Sequence, residues 1–217
     1  MRRDRIKILY EDKFIIIVSK PPKLLTISTD KEKEKTMYHQ VLTYVKQKHK
    51  SNKIFIVHRL DKDTSGILIF AKDEITKRKL QENWNEVKRY YIALVEGNLK
   101  KTQDTIKSYL KETKTLLTYS TKDKSGKLAI TKYKVIKENK NYSLLDIEIL
   151  TGRKNQIRVH MKDINHPIVG DKKYDSKTNI INRLGLHAYK IVFKHPITKK
   201  ELVIEDKVPT AFVNIFK

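Results

Sequence analysis

The chain has 217 residues, no cysteine and a formal net charge of +23. The lack of cysteine excludes disulfides, thiolate zinc sites and cysteine nucleophiles. Apolar runs are short and interrupted by Lys or Glu, and the first residues lack a signal-type apolar stretch, so we expect a cytoplasmic protein without a membrane span. So basic a surface attracts polyanions over distance, which makes RNA or DNA the expected partner.

The pattern of apolar residues predicts strands and helices in the following order. Strands are predicted at residues 6–10 and 14–19, a helix capped by Thr36 and carrying Val41, Leu42 and Val45, strands at 54–57 and 67–70, a helix at 74–84, strands at 91–95, 132–136 and 143–150, a helix at 155–163, and a strand at 190–193. This order predicts an α+β fold with a mixed, mostly antiparallel β-sheet core and flanking helices. The sequence has no internal repeat or Gly/Ser linker, so residues 1–217 are expected to form a single domain.

A polar loop separates the predicted strands at 54–57 and 67–70. It contains His58-Arg59-Leu60-Asp61, two further residues, and then Thr64-Ser65-Gly66. Loops held by a rigid scaffold commonly display reactive groups. The alternative is a plain turn, because Asp, Thr, Ser and Gly all favour turns through local hydrogen bonds. The ordered pattern resembles the signature of RluA-type pseudouridine synthases, which isomerise uridine within structured RNA.

Other segments resemble the same family and follow in its order along the chain. They are Val18-Ser19-Lys20-Pro21-Pro22, Arg89-Tyr90-Tyr91-Ile92-Ala93, Thr151-Gly152-Arg153-Lys154-Asn155-Gln156-Ile157-Arg158-Val159-His160, His166-Pro167 with Gly170-Asp171 and Tyr174, Arg183-Leu184-Gly185-Leu186-His187-Ala188, and His195-Pro196. The resemblance therefore covers essentially a whole catalytic domain.

Three features depart from the family pattern. Asn155 stands where the family usually has His, and Lys23 replaces the Gly that commonly follows the Lys-Pro pair. Only a few residues precede the Lys-Pro pair, so we expect the chain to lack the small accessory RNA-binding domain that many relatives carry at the N-terminus. These departures leave the choice of substrate open, so the target is expected to be ribosomal RNA, transfer RNA or both.

The resemblance implies a catalytic set of Asp61, Tyr91 and Arg158, with no cofactor and no metal. Asp61 is the essential carboxylate; an anion there can capture, stabilise or deprotonate a ribose with oxocarbenium character. Arg158 is expected to pair with Asp61 and keep it ionised. Tyr91 is expected to stack on the uracil and help remove the C5 proton. Strand alternation places its neighbour Tyr90 on the opposite face.

Five further residues are predicted to bind RNA: His58, Arg59, Arg153, Lys154 and Gln156. In the family, the residue equivalent to Arg59 helps to displace the target nucleotide from its stack, a step that costs a few kcal/mol. Arg153 and Lys154 lie at a predicted helix start, which suits phosphate contacts. RNA is therefore the expected partner of a protein that we expect to be monomeric.

Two other functions fit part of the sequence. A noncatalytic RNA-binding or ribosome-assembly protein would explain the charge without a reactive Asp61. A glycosidase could use Asp61 and Asp63 as an acid pair, but residues two apart on an extended segment lie roughly 6 to 7 Å from each other, a separation that by itself commits to neither standard carboxylate pairing.

Overall fold

A computed structural model describes residues 6–29 and 32–217. It confirms the predicted α+β class, with a mixed but mainly antiparallel set of strands and a few helices. The strands are β1 (Lys7–Glu11), β2 (Ile15–Lys20), β3 (Phe55–Ile56), β4 (Ser65–Ala71), β5 (Lys88–Glu96), β6 (Gln103–Glu112), β7 (Thr118–Thr121), β8 (Lys127–Glu138), β9 (Tyr142–Ile149), β10 (Leu186–Lys194) and β11 (Glu201–Glu205). The helices are α1 (Met37–Lys48), α2 (Glu74–Glu82), α3 (Gln156–Asp163) and α4 (Thr210–Val213).

The chain divides into two compact units. The first contains the described residues up to Val87 together with Ala188–Asp206, and the second contains Lys88–His187 with Lys207–Lys217. Across the described residues, no helix is long and apolar enough to cross a membrane.

The first unit is built on β2 and β4, whose apolar runs are buried on both faces. Their antiparallel register pairs Ile17 with Ile69 and Ile16 with Phe70. Ile17 and Ile69 belong to one core cluster with Leu80 of α2. Phe70 points to the other face, where its ring centroid lies 6.3 Å from that of Tyr38 of α1. Each face of the pair therefore has its own helix, which explains why both strands lack the usual polar alternation.

The second unit is an antiparallel sheet in the order β5-β9-β8-β6-β7. Helix α3 packs on one of its faces through Ile157 and Met161, which join a buried cluster with Leu145 and Ile147 of β9. Tyr91 of β5 packs against this cluster from the sheet. The apolar side of α3 thus sets which face of β5 becomes the inner face.

Several elements differ from the predictions. Strands β6, β7 and β11 and helix α4 were not predicted; β6, for example, alternates exposed Thr105 and Lys107 with half-buried Ile106. The helix predicted at 74–84 ends at Glu82, where the Asn83 side chain donates to the carbonyl of Lys79, and a 3-10 turn follows. The three missed strands carry mostly exposed or half-buried side chains and so lack a clear hydrophobic signature, which is why the pattern missed them.

A chain of hydrogen bonds runs beneath α3 and includes a fully buried histidine. The Nδ1 atom of His160 lies 2.8 Å from Thr131 Oγ1, and its Nε2 atom lies 3.0 Å from Ser108 Oγ. Burial lowers the pKa of His160 from 6.5 to about 4. The ring is therefore neutral at physiological pH, and its two hydroxyl partners tie α3 to β8 and β6.

We predict that His160 makes the protein less stable in mild acid. Below pH 6.5 the unfolded chain protonates this ring, whereas the folded protein keeps it neutral until about pH 4. Its effect is nil above pH 6.5 and grows to a loss of roughly 3 kcal/mol as the pH falls to 4. Urea unfolding of the wild type and of His160→Gln across this window measures the effect: the variant should lose less stability with falling pH, and equal slopes would contradict the assignment.

Candidate active site

Asp61 lies in the first unit, in the loop that joins β3 to β4. Exposure varies along the loop: Leu60 is buried, Asp61 is half-buried, and Arg59 and Lys62 are exposed. The backbone N–H of Thr64 donates to the carbonyl of Asp61 at 3.2 Å, which closes a turn around the carboxylate. The signature segment therefore does form a turn, and Asp61 stands half-buried at its start.

The backbone is fixed on both sides of Asp61. The hydroxyl of buried Thr26 donates to the carbonyl of Leu60 at 2.8 Å and accepts from its N–H at 3.2 Å. On the other side, the Lys20 ammonium donates to the carbonyl of Lys62 at 3.0 Å. These contacts come from the segment that follows β2, so the Lys-Pro segment and the Asp61 loop hold each other.

Lys20 is fully buried at the end of β2. Besides Lys62, its ammonium donates to the carbonyls of Pro21 at 3.0 Å and Leu24 at 2.7 Å. A buried charge is costly unless hydrogen bonds compensate it, and three carbonyls satisfy the three N–H donors. Lys23 within this segment has φ 64, a conformation that glycine adopts without strain. The left-handed backbone gives a physical reason why Gly is common at this position in the family.

Gly66 completes the signature for a steric reason. Its φ is +116, and an added Cβ would lie 2.1 Å from the carbonyl oxygen of Ala188. No side chain fits so close to a neighbouring strand backbone. The glycine therefore allows the end of the Asp61 loop to enter β4 against β10.

His58 is engaged inside the first unit. Its Nε2 atom accepts from the N–H of Ile69 at 3.1 Å, and its ring centroid lies 4.6 Å from that of Trp84. The acceptor role means that a neutral His58 carries its proton on Nδ1. The RNA contact expected of His58 stays a prediction, and this geometry gives the residue a part in holding the start of the loop.

Tyr91 and Tyr90 lie on opposite faces of β5 in the second unit. Tyr91 pairs with Ile147 of β9 and packs against the cluster beneath α3, whereas Tyr90 pairs with Glu148. Arg89 shares the face of Tyr91, and its guanidinium lies so close to Gly152 that a Cβ there would meet Nη1 at 2.7 Å. Burial lowers the pKa of Arg89 from its ordinary value.

The turn before α3 is organised by Gln156, which is only 3% exposed. Its side-chain oxygen accepts from the hydroxyl of Thr151 at 2.7 Å and from the N–H of Arg153 at 3.0 Å, and its amide nitrogen donates to β8. Arg153 is exposed and donates through Nε to the carbonyl of Leu128, while Lys154 pairs with Glu112. Gln156 thus supports the basic turn, and its predicted RNA contact stays a prediction.

Arg158 is buried, and its contacts within the second unit are well defined. Nε and Nη2 each donate to a carboxylate oxygen of Asp171 at 2.7 Å, and Nη1 donates to the Asn155 side chain at 3.0 Å. The guanidinium carbon also lies 4.9 Å from the ring centroid of Tyr174.

The roles of Lys20, Asp171 and Tyr174 were missed at the level of sequence. All three stand in segments that resemble the family, and that was the available signal. The sequence does not show which carbonyls a buried ammonium binds or which carboxylate pairs side-on with an arginine. The described residues contain no group of three or more His, Asp or Glu side chains that could hold a metal ion.

We predict that Lys20→Met lowers the free energy of unfolding by about 2 kcal/mol, because three carbonyls lose their donor. Denaturant unfolding measures this change. The matched control is Lys23→Met, at an exposed position three residues away, where the change should stay within about 0.5 kcal/mol. Equal effects of the two substitutions would mean that the ammonium of Lys20 does not hold the loop.

Comparison with known proteins identifies the family. A family model described as RNA pseudouridylate synthase matches residues 14–163. An uncharacterized RNA pseudouridine synthase of Bacillus subtilis, YhcT, is 33% identical over 214 residues, which are 97% of this chain and 71% of the relative. The ribosomal large subunit pseudouridine synthase C of Rickettsia bellii is 35% identical over 212 residues, covering 94% of this chain and 69% of that protein.

Among solved structures, human RNA pseudouridylate synthase domain containing 4 has the same fold, with a TM-score of 0.79 at 22% identity over 95% of this chain and 90% of that one. The family match covers most of the chain, and both relatives exceed 30% identity over more than two thirds of their length. The chain therefore belongs to the RNA pseudouridylate synthase family, enzymes that isomerise uridine to pseudouridine within RNA.

Proposed function

We propose that this chain converts a uridine of large-subunit ribosomal RNA to pseudouridine, with both units acting as one catalytic domain and Asp61 as the essential carboxylate. The observation that carries the assignment of Asp61 is its loop: the carboxylate is half-buried, and the residues on either side of it are pinned by Thr26 and Lys20. The choice of ribosomal RNA is supported by the name of the Rickettsia bellii relative. Neither the family nor the relatives favour a noncatalytic role.

The reaction breaks the bond between uracil N1 and ribose C1′ and forms a bond between C5 and C1′. The proton lost from C5 is balanced by the proton gained at N1, so no oxidant, reductant or water is consumed. Positive charge develops on the ribose when the first bond breaks, and a fixed anion stabilises that charge most where it need not reorganise. In this proposal the rigid loop supplies such an anion at Asp61.

Arg158 and Tyr91 complete the proposed catalytic set. A guanidinium near a carboxylate favours its ionised form, and Asp61 must be ionised to act. Tyr91 presents an aromatic face for stacking on the detached uracil and a hydroxyl that can assist removal of the C5 proton. Tyr91 stands on the inner face of β5, on the side where α3 packs, which supports giving the catalytic role to Tyr91 and not to Tyr90.

The net charge of +23 supports RNA as the substrate. Phosphate contacts supply most of the affinity of nucleic-acid-binding proteins and carry little sequence information. Arg153 and Lys154 present such cations at the turn before α3, and exposed Arg59 lies two residues from Asp61, where it can fill the space that a flipped nucleotide vacates. Binding and chemistry should therefore be separable by mutation.

We predict that Asp61→Asn abolishes pseudouridine formation while RNA affinity stays within about tenfold of the wild type, because phosphate contacts dominate binding. The product has the same mass as uridine and is detected by its reaction with carbodiimide, while affinity is measured by filter binding. Asp63→Asn is the matched control, since it makes the same change at an exposed position of the same loop.

Turnover by Asp61→Asn near the wild-type rate would refute the assignment of Asp61. Loss of activity in both variants, with release of free uracil by the wild type, would instead support the carboxylate pair of a glycosidase.

We predict that Tyr91→Phe still binds RNA but turns over at least about a hundredfold more slowly, because the ring for stacking is kept and the hydroxyl for proton transfer is lost. Tyr90→Phe removes the same hydroxyl on the opposite face and should cost only stability, on the order of 1 kcal/mol. Single-turnover kinetics and unfolding measurements distinguish the two effects. If Tyr90→Phe stops turnover and Tyr91→Phe does not, the catalytic tyrosine has been assigned to the wrong face of β5.

A further inference from the structure

Three neighbours in the second unit hold the guanidinium of Arg158. One binds along its edge, one binds at its end and one lies against its face. Asp171 accepts from Nε and Nη2, which is the side-on edge of the guanidinium, and both distances are 2.7 Å. Asn155 accepts from Nη1 at 3.0 Å. The ring of Tyr174 lies beneath the guanidinium carbon at 4.9 Å. We call Asn155, Asp171 and Tyr174 the arginine cage.

The residues of the arginine cage also bond to one another. Tyr174 Oη accepts from the Asn155 amide at 3.0 Å, and the N–H of Tyr174 donates to the carbonyl of Asp171 at 3.0 Å. The side chain of Asp171 is 1% exposed, and the side chain of Arg158 is 10% exposed. A buried bidentate pair with this geometry fixes the plane of the guanidinium as well as its position.

Asn155 breaks a local rule in order to reach Arg158. Asn at a helix N-cap commonly accepts from a backbone N–H of the first turn, but the side chain of Asn155 makes no such bond. Its backbone is left-handed, with φ 53 and ψ 19, a conformation that Asn tolerates better than most residues. The amide instead bridges Arg158 and Tyr174. Asn155 therefore holds Arg158 and does not cap the helix. This exchange indicates that the position of the Arg158 side chain matters.

We propose that Asn155, Asp171 and Tyr174 are positioning residues that act on the reaction through Arg158. This inference rests on the proposed function, in which Arg158 keeps Asp61 ionised and directed. Because Asp171 occupies the side-on edge, the end-on edge formed by Nη1 and Nη2 is the edge that Arg158 offers to a second carboxylate. An arginine held on three sides offers that edge without first losing rotamer freedom.

The key test is Asn155→Gly, measured with unmodified large-subunit ribosomal RNA made by transcription in vitro. Glycine keeps the left-handed backbone and removes both bridging bonds, so the fold should survive. The cage predicts that kcat falls by about tenfold while KM and the RNA dissociation constant stay within about twofold, because misdirecting a catalytic group affects the transition state and not the binding of RNA.

Asn165→Gly is the matched control. Asn165 is exposed, follows the other end of α3 and also has a left-handed backbone, with φ 64. The cage predicts an unchanged kcat for this variant. An equal loss of kcat in Asn165→Gly would overturn the inference by tracing the effect to the backbone. A loss of RNA affinity with normal kcat in Asn155→Gly would overturn it by making Asn155 an RNA contact.

A double-mutant cycle tests whether the cage acts through Arg158. Asp171→Ala alone should reduce kcat by about tenfold to a hundredfold, and adding it to Arg158→Ala should cause no further loss beyond about twofold. The double variant should also unfold at a higher temperature than Arg158→Ala, because no buried carboxylate is left unpaired. If the losses of kcat in the two single variants multiply in the double variant, the cage is contradicted.

The cage and the proposed function can fail separately. If the wild type forms product and Asn155→Gly keeps full activity, the cage alone is contradicted. If the wild type forms no product, the proposed function is contradicted.

Discussion

The proposed role of Asp61 depends most on a buried ammonium that fixes the loop carrying this carboxylate. Lys20 donates to three backbone carbonyls, one of which belongs to Lys62, next to Asp61. The hydroxyl of Thr26 holds the other neighbour, Leu60, because it donates to the carbonyl of Leu60 and accepts from its N–H. A loop fixed on both sides of one residue can present that carboxylate in a single geometry before substrate arrives, which is the condition under which an anion stabilises a developing charge most effectively.

In the second unit, buried polar side chains also fix the segments that carry the proposed site residues, but they do so through an amide, an imidazole and a carboxylate. Gln156 organises the turn before α3 from a nearly buried position, and His160 ties the helix to β8 and β6 through two hydroxyls. Arg158 lies between them on α3, held by Asp171. In both units, buried polar side chains such as Lys20, Gln156 and Arg158 bond to partners within the fold, whereas Arg59 and Arg153, whose charges suit phosphate, stay exposed. In the proposed function, affinity then comes from exposed cations and chemistry from side chains that are held within the fold.

Much of the fold and part of the candidate site could be predicted from the sequence, and the features that could not be predicted were missed for physical reasons. The apolar runs of β2 and β4 and the spacing of α3 were strong signals because packing requires them, whereas β6 was missed because its strand pairs through backbone bonds and leaves Thr105 and Lys107 exposed. The motif containing Asp61 was recognisable because its residues resemble a family signature in the same order. The roles of Lys20 and Asp171 were not, since their partners are backbone carbonyls or side chains distant along the sequence.

The proposed function is tested most directly by mapping pseudouridine across all RNA from cells with and without this gene, with the deletion complemented by the wild type or by Asp61→Asn. It predicts that at least one pseudouridine in large-subunit ribosomal RNA disappears on deletion and returns with the wild-type gene but not with the variant. An unchanged map, or restoration by Asp61→Asn, would contradict the central claim.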